Sequence, residues 1–568
     1  MIKRITYLKK LFSLLIIAQL SNLISAFSVY AQLFQGKPRF SRQDTLRGML
    51  NENRSWWDVV HYDLNIKPEI QKFSINGSNK ITFRVIEKAG GLMQIDLQEP
   101  MQIDQITLDQ KSVKFYADGN VWYIKIPNRK KNRLKLQSIH SLELFFHGIP
   151  KPALQPPWDG GIVWSKDKKN NPWIGTACQG LGASSWWPCK DHQSDKADSA
   201  TIHVTVPDTL MNISNGRLRA IVNNTDKTKT WIWHVSKPIS TYNLTMNIGK
   251  YAHWQDSLHG KNGILSLDYY VLEDDLEKAK FQFKQTKPML HAFEYWFGAY
   301  PFYEDGYKLV HSSYLGMEHQ SAIAYGNDFK NGYKGEDLSE TGQGLKWDFI
   351  LVHESGHEWF GNNITSKDVA DMWIHEGFTN YAECLYMYEI FDKQSADEYI
   401  IGLRKRVQND KPVIGPYNVN KEGSADMYYK ASNMLHTIRQ IINNDAVFRN
   451  ILITLNNQYR YKTISSREIE KTISNLAGIN FEKIFDQYLR STKIPVLEYK
   501  FEEERLLYRW LNCVEGFDMK IKLPVSKEAY QSVQPSIDWQ SISIDKKDTK
   551  DLEGNFDSNF YVDYKKVK

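Results

Sequence analysis

From Trp56 to about Tyr251, apolar and polar positions alternate with a period of two. Val60, Tyr62, Leu64 and Ile66 interleave with His61, Asp63, Asn65 and Lys67, which predicts a strand with one buried face. Ile81, Phe83 and Val85 interleave with Lys80, Thr82 and Arg84 in the same way, and Asn76-Gly77 predicts the hairpin turn between the two runs. Asp118-Gly119 predicts another turn before Val121-Trp-Tyr-Ile-Lys-Ile126. Between about Gly260 and Asp275 the period changes. Leu276 to Phe297 has helical apolar spacing and stops at Gly298. Helical segments continue to Leu489, interrupted by the strand-like Tyr307-Lys-Leu-Val310 and including Ser465-Ser-Arg-Glu468 as a capping box. Strand patterning returns after Ile494-Pro-Val-Leu-Glu-Tyr-Lys500. The chain therefore reads as multidomain α+β: a β domain over 32–254, a mixed helical domain over 255–494 and a short β domain over 495–568.

Composition changes this picture little. A chain of 568 residues rich in Trp and Tyr can bury several cores, which excludes disorder. The net charge is +6, but Lys3, Arg4, Lys9 and Lys10 supply four of those charges, and the remainder is no footprint for nucleic acid. The basic run Arg129-Lys-Lys-Asn-Arg133 reads as a solvated loop. Lys9 and Lys10 precede the apolar run Leu11-Phe-Ser-Leu-Leu-Ile-Ile-Ala18, and small residues follow at Ala26 and Ala31. That order predicts a signal peptide over 1–31, cleaved after Ala31 with Ala26 as the alternative, and hence a periplasmic or extracellular protein. Gln19, Ser21 and Asn22 break the span too early for a membrane helix, so no stable membrane anchor is expected after cleavage. Cys178, Cys189, Cys384 and Cys513 are expected as free thiols, with a Cys178–Cys189 disulfide as the alternative for an exported chain.

The candidate chemistry lies in Leu351-Val-His-Glu-Ser-Gly-His-Glu-Trp-Phe-Gly-Asn362. His353 and His357 are four apart, so on a helix both rings share one face and one metal ion. Glu354 beside them reaches a metal-activated water without being a ligand. A catalytic zinc takes three protein ligands. After His357, with eighteen residues between, Glu376 in Trp373-Ile-His-Glu-Gly-Phe-Thr-Asn-Tyr-Ala-Glu383 completes a His2Glu set from a second helix. The pattern predicts helices over 341–362 and about 372–391.

These motifs together resemble the aminopeptidase N family of zinc metallopeptidases, which includes the leukotriene hydrolase branch. His353, Glu354, His357, Trp359, Phe360, Gly361, Asn362, Glu376, Gly377 and Phe378 all match its pattern. The resemblance covers about 56–525 and implies a saddle-shaped N-terminal β domain, a thermolysin-like α/β catalytic domain and one Zn2+ per chain. It leaves no room for the large C-terminal helical domain of many relatives. Gly316-Met-Glu-His-Gln320 resembles the family's Gly-x-Met-Glu segment, which makes Gly316, Met317 and Glu318 substrate-binding residues. Glu318 is then the carboxylate that holds the substrate's ammonium group, a cation at neutral pH. His319 departs from the commoner asparagine. In Cys178-Gln-Gly-Leu-Gly-Ala-Ser-Ser-Trp-Trp-Pro-Cys-Lys-Asp191, Gln179 matches the glutamine that reaches the substrate's N-terminal end, and Asp191 reads as structural. Tyr428-Tyr-Lys-Ala431 resembles Tyr-x-Lys-Gly, so Tyr428 takes the oxyanion role and Tyr429 a core position, while Ala431 replaces the glycine. Asn380 is the candidate for orienting a ligand, with Glu383 behind it. His375 stands where the family has asparagine and reads as a packing or supporting residue.

The expected protein is an exported zinc aminopeptidase acting on peptides with a free N-terminus, with Glu354 as general base. The alternatives are a zinc metalloendopeptidase and a non-catalytic peptide-binding protein on a peptidase fold.

Overall fold

Trp57–Glu69 lies inside an eight-stranded sheet, where it pairs antiparallel with Ser74–Val85 and parallel with Ser199–Pro207. A computed structural model describes residues 40–127, 134–544 and 552–567 of the chain. The expected leader and the basic run 129–133 lie outside them. A bulge between Val59 and His61 shifts the register, so Val59, in place of Val60, joins Tyr62, Leu64 and Ile66 in the core.

The expected turn at Asn76-Gly77 is not a turn. Both residues sit within Ser74–Val85, opposite Lys67 and Ile66, and the chain reverses earlier, at Ile70–Lys72, with Phe73 left-handed at φ 54°. Gly77 serves close cross-strand approach: a Cβ there would stand 2.5 Å from the Asn65 carbonyl oxygen and 2.8 Å from the Phe146 ring. At Asp118-Gly119 the expected hairpin does form, with Asp118 opposite Val121 and Gly119 at φ 61°.

The second half of the chain is built on a five-stranded sheet in the order Tyr251–Gly260, Gly263–Leu272, Tyr307–His311, Ile323–Tyr325, Gly316–Met317. Its first strand begins inside the segment that the sequence pattern assigns to the β domain. Gly316–Met317 pairs only with Ile323–Tyr325 and forms one edge. Helices Thr286–Phe297 and Phe349–Gly356 pack on this sheet, Trp373–Ile390 packs across both, and Tyr429–Ile442 packs on Trp373–Ile390. Phe360 and Phe378 stack face to face at 4.3 Å, joining the segment after the first histidine helix to the helix of Glu376. The core runs without a break into the C-terminal sheet of Gln540–Ser543, Arg505–Leu511, Val496–Glu502 and Asp563–Lys566. Among the described residues no helix is long and apolar enough to cross a membrane.

Candidate metal and peptide site

Phe349–Gly356 is buried throughout and capped by Asp348, whose carboxylate accepts from the Leu351 N–H at 3.2 Å. Asp348 also accepts from the Tyr325 hydroxyl at 2.6 Å and from the side-chain amides of Gln282 and Asn327 at 2.8 Å. Those bonds fix the helix start to the sheet. The helix is shorter than the predicted 341–362: Gln343–Lys346 is a separate 3-10 turn, and the helix ends at His357. The chain turns away at Gly361, whose φ of 129° favours glycine and whose missing side chain leaves space beside His357 Nδ1.

His353 and His357 bring their Nε2 atoms to 3.3 Å, and Glu376 Oε2 lies 3.5 and 3.4 Å from them. A metal held tetrahedrally at about 2.0–2.1 Å from each ligand atom needs edges of about 3.3–3.4 Å. Glu376 Oε2 is fully buried and has no hydrogen-bond partner among the described residues. A buried carboxylate oxygen is rarely left so, and a cation at the centre of the triangle accounts for it.

The far nitrogens of both rings are held. His353 Nδ1 donates to Glu383 Oε1 at 2.6 Å, and His357 Nδ1 donates to the Phe360 carbonyl at 3.0 Å. Each bond leaves Nε2 as the lone pair facing the triangle. The order expected for Asn380 and Glu383 is reversed: Glu383 touches the ligand, and Asn380 Nδ2 donates to Glu383 Oε2 from behind at 2.8 Å. The Tyr399 hydroxyl donates to the same oxygen at 2.6 Å. Glu383→Gln is expected to weaken metal binding by ~10- to 100-fold, measured by competition with a chromogenic chelator. An unchanged affinity would remove Glu383 from that role.

Glu354 stands beside the triangle, and its carboxylate groups with Glu318 and His357, with ligand atoms within 4.8 Å of one another. Gly316 makes its room: a Cβ there would lie 2.7 Å from Glu354 Oε1. Burial pushes the Glu354 carboxyl up to about 7, with Glu318 and Glu376 adding to the shift and the two imidazoles opposing it. Glu318 is 2% exposed. It accepts from Gln179 Nε2 at 2.6 Å and from the Tyr242 hydroxyl at 3.2 Å, both contributed by the N-terminal domain.

The Peptidase family M1 domain matches residues 281–488, and the Peptidase M1 N-terminal domain matches residues 59–243. The chain belongs to peptidase family M1. It is 22% identical over 460 residues to Aminopeptidase N of Lactobacillus helveticus, covering 77% of this chain and 51% of that protein. It is 23% identical over 474 residues to Probable aminopeptidase 1 of Sulfurisphaera tokodaii, covering 78% and 54%. The chain thus spans about half the length of the curated relatives it matches. In fold it is similar to an M1 zinc metallopeptidase of Deinococcus radiodurans bound to a Tyr-Ser-Ala substrate, with TM-score 0.63, 19% identity and coverage of 78% of this chain and 96% of that one. A two-domain M1 zinc metallopeptidase bound to L-tryptophan gives TM-score 0.66 at 20% identity, covering 77% and 95%.

The remaining M1 motif residues each have a place. Tyr428 ends the 3-10 turn Ala425–Met427 and faces the site, its ring centred 6.1 Å from that of His353. Burial and the carboxylates of Glu376, Glu422, Glu318 and Glu354 hold its phenol well above its ordinary pKa, so it stays a donor. Tyr429 opens the helix Tyr429–Ile442 and packs as a partly buried core residue. Ala431 fits because Gly377 faces it: a Cβ on Gly377 would meet the Ala431 Cβ at 2.7 Å. Met317 is buried with Val163, Ala177, Tyr242, Tyr314 and Ala324 where the two domains meet. Asn362 Nδ2 donates to the Glu318 carbonyl and to Glu358 Oε1 at 2.8 Å each, and its oxygen accepts from Asn243 at 2.8 Å. That asparagine therefore ties the histidine segment to the residue after the strand Gly316–Met317 and to the N-terminal domain at once.

Other predicted residues are structural. Asp191 Oδ2 accepts from the Ser184 N–H and hydroxyl at 3.1 and 2.5 Å and pins the Gln179 loop. His375 Nε2 accepts from the Ser366 N–H at 2.8 Å, while burial lowers its pKa to about 3. His319 is fully buried, and neither ring nitrogen has a partner among the described residues. All four cysteines are free. Tyr242 and Asn243 escape sequence reasoning, because nothing in their local pattern marks a loop that crosses to another domain's cleft.

Proposed function

We propose that this M1 peptidase is an exported zinc aminopeptidase that removes the first residue from peptides with a free amine. The observation that carries the reading is Glu318. It is a buried carboxylate beside the metal-ligand triangle, held by Gln179 and Tyr242, at the place where a peptide's ammonium group would end. The names of the curated relatives support it, as does a set of two imidazoles and one carboxylate, which fits zinc. His353, His357 and Glu376 would hold the ion, which supplies a Lewis acid to the scissile carbonyl and the attacking water.

The chain's own residues do the rest. Gly316–Met317 is a sheet edge, the place at which an extended peptide would pair. Glu318, Gln179 and Tyr242 seat the ammonium group and so fix the scissile bond one residue inward. Glu354 takes a proton from the attacking water and hands it to the leaving nitrogen. Tyr428 donates to the oxygen that gains charge in the transition state, where one such donor is worth about 2.7–4 kcal/mol. Tyr428→Phe is therefore expected to lower kcat by ~10²–10³ with a much smaller rise in KM. Tyr429→Phe should be mild, and the reverse ranking would shift the oxyanion role by one residue.

The test is release of free residues from one peptide, unblocked and N-acetylated, with and without a chelator. Cleavage of the unblocked form alone, lost on chelation and restored by zinc, is the expected result. Equal cleavage of both forms would make the protein an endopeptidase, and cleavage of neither a peptide-binding protein. Export rests on Lys9-Lys10, the apolar run that follows and the small residues up to Ala31. A mature N-terminus at Gln32 in periplasm or medium is the expected mass-spectrometric result. Cytosolic enzyme retaining Met1 would refute export.

A further inference from the structure

We infer that Glu422 gives the enzyme a preference for a basic side chain, lysine or arginine, on the first residue of its peptide. The inference rests on the aminopeptidase reading. With the ammonium group on Glu318 and the scissile carbonyl at the metal-ligand triangle, the first Cα lies between them. Its side chain would then leave into the hollow walled by Gln179, Tyr242, Met372 and Glu422, whose far wall carries Arg47 paired with Asp191.

The charges around that hollow are committed elsewhere, with one exception. Asp191 is bound by Ser184 and lies 3.4 Å from the Arg47 guanidinium. Asp368 accepts from the backbone N–H groups of Ala370 and Asn418 at 2.9 and 3.0 Å. Burial lowers His192 to about 3, so it carries no charge at neutral pH. Glu422 has neither a hydrogen bond nor an ion pair among the described residues. Burial, then the charges of Glu376 and Glu318, push its carboxyl up to about 7, against the lowering effect of the more distant Lys411, which forms no ion pair with it. A carboxylate kept in such surroundings without a partner is unfavourable, and an arriving ammonium or guanidinium offsets that.

The backbone that carries Glu422 is fixed at the next two residues. Ser424 N–H donates to the Pro412 carbonyl at 3.0 Å, and Gly423 lies so close to Val413 that a Cβ there would stand 1.9 Å from its carbonyl oxygen. A carboxylate on backbone fixed this way pairs with a cation at less ordering cost than one on a mobile loop.

The test is kcat/KM on 4-nitroanilides of arginine, lysine, leucine, alanine and glutamate. Wild-type enzyme should favour arginine and lysine. Glu422→Gln should lower the arginine-to-leucine ratio by roughly 10- to 100-fold. Glu422→Lys should lower it further and raise the relative rate on glutamate. Because each variant is read as a ratio within one enzyme preparation, partial misfolding does not imitate the effect. An arginine-to-leucine ratio unchanged in both variants overturns the inference. So do equal losses on arginine, leucine and alanine, which would mean that Glu422 reads the amine. Wild-type enzyme that releases none of the five residues defeats the aminopeptidase reading itself, a failure distinct from either.

Discussion

Glu354→Gln is expected to lower kcat by at least ~10² while zinc content stays that of the wild type. The side chain is 8% exposed and fills the gap left by the missing side chain of Gly316, where an amide of the same shape also fits. It lies outside the triangle of His353, His357 and Glu376, so the ion loses no ligand. What disappears is proton transfer. In the proposed reaction a carboxylate accepts a proton from water and returns it to the leaving nitrogen, and a carboxamide does neither. Turnover and elemental analysis on the same preparation separate this from metal loss. Activity within a few-fold of wild type, with zinc retained, would sink the general-base role.

The parts of this site that were legible in the sequence are those fixed by short-range geometry. The four-residue spacing of His353 and His357 sets both rings on one helical face whatever surrounds them. The eighteen residues to Glu376 leave just enough chain to turn and return. Chemistry that depends on how elements pack was not legible in the same way. Asn380 and Glu383 lie four and seven residues after Glu376, on the same face of one helix, so periodicity cannot rank them; the packing of Trp373–Ile390 against Phe349–Gly356 gives His353 to Glu383. Asn76-Gly77 has the composition of a turn, yet cross-strand crowding against Phe146 claims its glycine. Tyr242 reaches Glu318 across a domain boundary, which no local pattern encodes. Gly377 and Ala431 show the reverse case. A departure from the family pattern at one position is absorbed by a glycine that the same pattern already supplies at the other.

Glu318→Gln should separate an aminopeptidase from an endopeptidase. Burial and the nearby Glu376 raise the Glu318 carboxyl, against the lowering effect of His357, so a substrate ammonium group would meet a desolvated, partly uncompensated charge. Truncating one partner of such a pair costs about 2–5 kcal/mol. On free-amine peptides the expected loss in kcat/KM is therefore roughly 30- to 1000-fold or more. Gln179 and Tyr242 both donate to Glu318 Oε1, and an amide oxygen at that position keeps both bonds. The substitution thus removes charge without emptying the site. An N-acetylated peptide has no cation to seat, so wild-type enzyme should cleave it poorly and the substitution should alter that rate little. The measurement is a two-by-two comparison: wild type and Glu318→Gln, on the free and acetylated forms of one peptide. If both substrates lose equally, Glu318 serves the reaction centre in general and does not read the amine, and the endopeptidase reading takes precedence.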